Sequence, residues 1–397
     1  MSASVQSQPA FPRSRYDGVV ITAPVTIPYV RYSEKDAHWF LARALAALLK
    51  TSGLRKDEID GLGVSSFTLF PDTAVGLTQH LGFSPRWLDH LPFGGASGII
   101  ALRRAARAVQ NGDANVIACV AGDTNHVDSF RQNLANFSRF ARDAVYPFGS
   151  GGPNANFAFL TAHYMRRFGA TAEDFGKLCV AQRDNALRNP LALFKKKLTL
   201  EEYLNARPIA DPLKLFDCVM PCAGSEGFLV MREEHARRLG LPYARILGTI
   251  ERHNAFPDDP IQDRGGWMLD RDDLYAQAAL GPEDMQFFEA YDDYPVINAL
   301  QMEGLALCGY GEAPNFIRNN SFSLGGSLPF NTSGGQLSAG QAGAAGGFLG
   351  LVQALRQVTD QAGAMQIPQA NHGLVSGFGM INYDRGLCTG AAILGRA

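Results

Sequence analysis

Two glycine-rich turns are the places in this sequence where backbone and side chains could act together on a ligand. The first is Phe93-Gly94-Gly95-Ala96-Ser97-Gly98, and the second is Ser333-Gly334-Gly335. Each leads into a helix of small residues. A helix start presents unpaired N–H groups and the positive end of a dipole. Such a turn can hold an oxygen that gains negative charge during a reaction. Ser97 adds a hydroxyl, but no histidine is obviously paired with it, so a helix cap is its simpler role. His126, in GDTNHVDSF, follows an expected strand and could point toward the same place. His253 and His372 adjoin core strands and read as structural. Lys195–Lys197 could attract phosphate groups, although a lysine run is ordinarily a solvated face. The six cysteines (Cys119, Cys179, Cys218, Cys222, Cys308 and Cys388) lie in apolar contexts and read as reduced and buried. Cys218 and Cys222 are close, but no second close pair accompanies them, so no zinc site is expected.

The elements that must position these groups occur twice. An apolar strand, Tyr16 to Val30, precedes DAHWFLARALAALLK, which has apolar residues at helical spacing. SGLRKDEIDGLGVSS then reads as a helix stop, a short turn and a buried strand. In the second half, ARILGTIERHNAF precedes DRDDLYAQAALGPEDMQFFEAYDD. Leu54, Glu58, Ile59 and Leu62 match Leu280, Asp284, Met285 and Phe288 at a constant offset. Each half next reaches a glycine turn and a small-residue helix, Phe93 to Val109 and Ser333 to Val358. Each then ends in an apolar strand, Asn115 to Asp123 and His372 to Ile381. The order implies two α/β units with mostly parallel sheets. Glycine is a poor helix former, so helices this rich in Gly and Ala are expected to lie buried, with backbones in close approach. Between the halves, Thr124 to Arg232 reads as an inserted lid, with Thr171 capping one of its helices.

Composition narrows the function. The chain has 397 residues, 46% hydrophobic and 19% charged, with a formal net charge of -2. That is enough for a large core or two fused cores. No basic field would attract nucleic acid. No stretch approaches the roughly 20 apolar residues of a membrane span, and the N-terminus lacks the apolar core of a signal peptide. A soluble cytoplasmic protein is the expectation.

Four segments together resemble the thiolase superfamily, especially its sterol-carrier-protein-type and lipid-transfer branches. YPFGSGGPNANFAFLTAHYMRRFGATAEDFGKLCVAQRDNALRNP is similar to that branch's loop domain. LTLEEYLNARPIADPLKLFDCVMPCAGSEGFLV resembles the segment closing the first half. FEAYDDYPVINALQMEGLALCGYGE resembles the stretch carrying a His-Asp or Tyr-Asp pair. NTSGGQLSAGQAGAAG resembles the Asn-x-x-Gly-Gly…Gly-His-x-x-Gly signature. The resemblance implies an α/β thiolase fold, with duplicated halves packed as five layers, αβαβα. It places an N-terminal half at residues 1–123 and 210–238, a lid at 124–209, and a C-terminal half at 239–397. It departs from the family at the nucleophile. Gly95 stands where thiolases carry a cysteine, Gln341 stands where they carry a basic histidine, and Leu374 to Tyr383 lack their second cysteine.

Three losses in separate segments argue against covalent acyl transfer. Retro-aldol cleavage of a β-hydroxyacyl-CoA needs a base for the hydroxyl and donors for the thioester enolate. By resemblance, the base is Tyr291 or Tyr294 with Asp292 beside them. Gly95, Ala96, Ser97, His126, Ser333, Gly334, Gly335, Gln341 and Gly379 are expected around the substrate, and loss of the cysteine side chain is expected to free room at Gly95. No cofactor or metal is expected, since coenzyme A arrives on the substrate. The resemblance implies a homodimer, and a small partner with an OB-fold and a zinc ribbon. Two other readings stand beside the aldolase: a non-catalytic subunit binding acyl-CoA, lipid or a partner protein, and an acyltransferase with unconventional residues.

Overall fold

A computed structural model describes residues 15–126, 144–150, 152–382 and 385–397. Among the described residues eleven strands are formed: β1 (Val19–Val30), β2 (Gly61–Ser65), β3 (Trp87–His90), β4 (Val116–Asp123), β5 (Pro208–Ala210), β6 (Leu213–Lys214), β7 (Ala223–Arg232), β8 (Tyr243–His253), β9 (Phe287–Glu289), β10 (His372–Asn382) and β11 (Arg385–Arg396). Nine of them form one sheet in the order β3-β2-β4-β7-β1-β8-β11-β10-β9. The order shows the duplication, since β2-β4-β7-β1 in one half is mirrored by β9-β10-β11-β8 in the other. The halves join where β1 pairs with β8 at Val20, Ile21 and Thr22.

The repeat extends to fine detail. The short turns Lys56–Glu58 and Pro282–Asp284 occupy matching positions. In each, the closing acid reaches back to a backbone N–H: Glu58 to Arg55 at 2.8 Å and Asp284 to Gly281 at 2.7 Å. Each turn delivers the chain into a short buried strand, β2 or β9.

The sheet is mixed, which corrects the mostly parallel arrangement expected. Only β2–β3, β2–β4 and β9–β10 are parallel. β11 follows β10 after two residues, too short a connection for a parallel crossover, so it runs back antiparallel. β7 likewise lies antiparallel to both β4 and β1.

The helices Ser97–Asn111 and Gly346–Val358 are the middle layer, each packed against strands of both halves and against each other. Their approach is backbone to backbone. A Cβ on Gly98 would stand 2.2 Å from the carbonyl oxygen of Gly347. Helix Ala37–Ser52 covers the outer face of β4, β1 and β7, and helix Trp267–Ala278 covers β8 and β11, which completes five layers. The second central helix begins later than expected. A short helix, Gly335–Ala339, comes first and is broken at Gly340, whose φ of 118° no ordinary side chain favours.

Within residues 124–209, helices Pro153–Phe168, Ala172–Ala186 and Leu200–Leu204 are formed. Thr171 caps the second of these, accepting from the Asp174 N–H at 3.4 Å. Residues 127–143 and 151 of the expected lid lie outside the described residues.

Candidate active site

The segment 290–294 leaves β9 and turns into helix Pro295–Gly304. Pro295 fits the first helical position, where its missing N–H costs nothing. Gln301, fully buried six residues further along the helix, clamps Tyr291 by its backbone: it accepts from the Tyr291 N–H at 3.2 Å and donates to the Tyr291 carbonyl at 2.7 Å. Side-chain direction alternates along it, with Tyr291 and Asp293 on one side and Asp292 on the other.

That alternation separates the residues the sequence put together. The Tyr291 hydroxyl donates to Asp293 at 2.8 Å, and not to Asp292. Gln341 joins them, its Nε2 donating to the other Asp293 oxygen and standing 3.4 Å from the Tyr291 hydroxyl. Gln341 is itself fixed by its backbone, which bonds Met220 at 3.0 Å and Cys222 at 2.8 Å. Asp292, 1% exposed, points the other way. Its carboxylate accepts from the N–H groups of Gln336 at 2.9 Å and Leu337 at 3.2 Å, and from the Gln182 side chain. It therefore anchors helix Gly335–Ala339 to the lid helix carrying Gln182. Tyr294 also turns toward the lid, donating to Asn154 at 2.6 Å and stacking on Phe157 with centroids 4.3 Å apart.

Burial sets the proton chemistry. It pushes Asp293 up to about 7, partly offset by the Tyr291 hydrogen bond. It also raises Asp292 to about 7 and Glu289 to about 8, against the pull of their own hydrogen-bond donors. Tyr291 and Tyr294 are held well above the ordinary tyrosine value, first by burial and then by the charge of Asp293. Asp293 is thus a carboxyl group poised to exchange a proton near neutrality. Sequence reasoning missed it. The available signal was the period of two, which makes residue 293 the companion of Tyr291.

Gly95 is not an open space. A Cβ there would stand 2.1 and 2.2 Å from two ring carbons of Tyr291 and 2.3 Å from the Phe378 carbonyl oxygen. The tyrosine ring fills the position a nucleophilic side chain would need, which corrects the expectation of freed room. Gly379 packs on the same turn. A Cβ on it would meet the Phe93 carbonyl at 1.9 Å and lie 3.0 Å from the amide nitrogens of Gly95 and Ala96. The Ala96 N–H is used within the turn, on Phe93 at 3.1 Å. The Ser97 hydroxyl is wholly buried and bonds the Leu91 carbonyl at 3.0 Å, a bracing role.

The second glycine turn is spent on structure. The N–H of Thr332 goes to Glu289, that of Gly334 to Asn331 at 2.7 Å, and that of Gln336 to Asp292. Ser333 and Gly335 line a void of about 10 Å³ with Glu289, Tyr291 and Asp292, room for about one water. His126 lies exposed at the end of the described stretch after β4. Lys195 braces the lid through the carbonyls of Asn189 at 3.0 Å and Pro190 at 2.8 Å. Among the described residues no cluster of His, Cys, Asp and Glu could hold a metal ion, and no helix is long and apolar enough to cross a membrane.

Comparisons with known proteins agree with this architecture. Residues 272–394 match the family described as thiolase C-terminal domain-like. The steroid side-chain-cleaving aldolase of Thermomonospora curvata is 32% identical over 332 residues, covering 79% of this chain and 83% of that protein. The 17-hydroxy-3-oxo-4-pregnene-20-carboxyl-CoA lyase of Mycobacterium tuberculosis is 30% identical over 338 residues, covering 80% and 85%. The solved Ltp2-ChsH2(DUF35) aldolase superposes with a TM-score of 0.83 at 27% identity, covering 96% of this chain and 99% of its own. At this identity and coverage, the chain belongs to the thiolase superfamily, in the branch of the sterol-carrier-protein-like aldolases.

Proposed function

We propose that this chain is a carbon–carbon lyase that cleaves a β-hydroxyacyl-CoA thioester by retro-aldol chemistry, without a covalent enzyme intermediate. One observation carries the reading: the Tyr291 ring occupies the place in front of Gly95 where a nucleophile would stand, and its hydroxyl belongs to a hydrogen-bonded set with Asp293 and Gln341. The site has exchanged a nucleophile for acid–base groups. In the reaction a base takes the β-hydroxyl proton, the Cα–Cβ bond breaks, and the β-carbon becomes a ketone or aldehyde. The bonding electrons pass to the thioester as an enolate, which a proton at Cα converts to the shorter acyl-CoA. The N–H groups of Phe93, Ala96 and Ser97 are used within the turn, so a donor for the enolate oxygen from this turn has to be Gly94 or Gly95.

The named activities of the two relatives support a steroid side-chain thioester as substrate. The paired name of the structural neighbour supports a partner protein for this chain, and the OB-fold and zinc ribbon are what the family resemblance implies for it. A homodimer is part of the same reading. β3 ends the sheet with a neighbour on one side only, and Val75, on the helix packed against it, is 66% exposed. The six free thiols fit a reducing, cytoplasmic setting.

The test is a panel of β-hydroxyacyl-CoA thioesters of increasing size, offered with and without the zinc-ribbon partner. The expected result is release of a ketone or aldehyde with a shorter acyl-CoA, fastest for a steroid side-chain thioester. Folded protein that cleaves none of them, with its partner bound, would move the assignment to a non-catalytic subunit.

A further inference from the structure

We propose that Asp293, and neither Tyr291 nor Tyr294, takes the proton from the β-hydroxyl group, and that Tyr291 and Gln341 are positioning residues that hold its carboxylate. The inference rests on the retro-aldol reading and deepens it. Three observations carry it. The first is access. Of the four residues from 291 to 294, Tyr291, Asp292 and Tyr294 are buried, while Asp293 is partly open, as is Gln341 beside it. Asp293 is thus the one carboxylate of this segment with appreciable surface exposed.

The second is the direction of the hydrogen bonds. The Tyr291 hydroxyl already donates its proton to Asp293, and the Tyr294 hydroxyl donates to Asn154. A carboxylate has about four acceptor positions. Tyr291 and Gln341 each take one, on different oxygens, and the rest remain for a substrate hydroxyl. The third is that Asp292 cannot take this role, because its oxygens are committed to Gln182, Gln336 and Leu337.

The charge environment agrees. The titratable groups whose charge couples to Asp293 are Tyr291 and Tyr294, Asp292, which is adjacent in the chain but points away, and Cys218, which precedes the stretch that holds Gln341. None is a cation, and burial leaves Asp293 near 7 while both tyrosines stay protonated well beyond it. In the forward step the substrate O–H breaks and Asp293 becomes a carboxylic acid. The Cα–Cβ bond then breaks to a carbonyl and an enolate. The proton held on Asp293 passes to Cα, releasing the shorter acyl-CoA and restoring the carboxylate.

The experiment is kcat/KM against pH for the full chain, with its partner, and for Asp293→Asn, Tyr291→Phe and Tyr294→Phe. A carboxylate base gives activity that falls as pH drops through about 7 and is level above it. Asp293→Asn is expected to lose on the order of 10³-fold, with that acid limb removed. Tyr291→Phe is expected to stay active, with its limb displaced to higher pH, because a hydrogen bond that lowers the Asp293 pKa is gone. That displacement does not depend on the folding of the Asn variant, and a merely structural tyrosine would not produce it. Activity that climbs toward pH 10 and is abolished by either Phe variant, with Asp293→Asn within tenfold of wild type, would overturn the assignment and leave the lyase reading standing. A wild-type protein that cleaves no β-hydroxyacyl-CoA would overturn both.

Discussion

Replacing Gly95 by alanine is expected to abolish cleavage and to destabilise the fold by about 3 kcal/mol, the upper range for forcing atoms into a packed core. The new Cβ would lie 2.1 Å from the Tyr291 ring and 2.3 Å from the Phe378 carbonyl oxygen. The ring cannot swing away freely, because Gln301 clamps the Tyr291 backbone and Asp293 holds its hydroxyl. The carbonyl belongs to β10, paired along its length with β11. Urea unfolding of Gly95→Ala, Tyr291→Ala and the double variant checks the geometry. The double variant should recover part of the stability, giving a coupling term between the two sites, and none of the activity. Simple addition of the two losses would show that the ring and residue 95 do not compete for one space. The same clash explains why a cysteine placed at residue 95 is not expected to create a thiolase.

Asp292→Ala is expected to cost on the order of 3 kcal/mol, because it strands the buried donors of Gln336, Leu337 and Gln182 together. The effect falls on stability and not on the proton-transfer step. Gln341, beyond the helix Gly335–Ala339 that Asp292 holds through Gln336 and Leu337, has separate backbone anchors at Met220 and Cys222, so it should keep its place. Thermal or urea unfolding should show the loss, while the folded variant keeps its acid limb, moved to lower pH because the charge coupled to Asp293 is gone. A thousandfold loss of rate in a variant of unchanged stability would assign the chemistry to Asp292 instead.

Much of the fold is legible in the amino-acid order, because duplication leaves a periodic trace. Glu58 and Asp284 sit at matching positions for a physical reason: each closes the turn that feeds a buried strand. The burial of the central helices is legible too, since Gly98 and Gly347 make sense only where two backbones meet. Strand direction is not, as apolar runs look alike whichever way they run, and β7 and β11 reverse their halves. The site is legible in part. The segment around Tyr291 is marked by family resemblance, and the missing cysteine and histidine are plain. That the ring of Tyr291 would fill the space at Gly95, nearly two hundred positions away in the chain, is a property of packing alone. The exchange of Asp292 for Asp293 turns on which way the side chains point in the irregular stretch before the helix that begins at Pro295.

The most direct measurement of the central claim is the dependence of cleavage on free coenzyme A. A retro-aldol lyase needs none. The account predicts a rate unchanged by added CoA, with one ketone or aldehyde formed for each shortened acyl-CoA. A rate that requires free CoA, and two thioester products per turnover, would show thiolysis and contradict it.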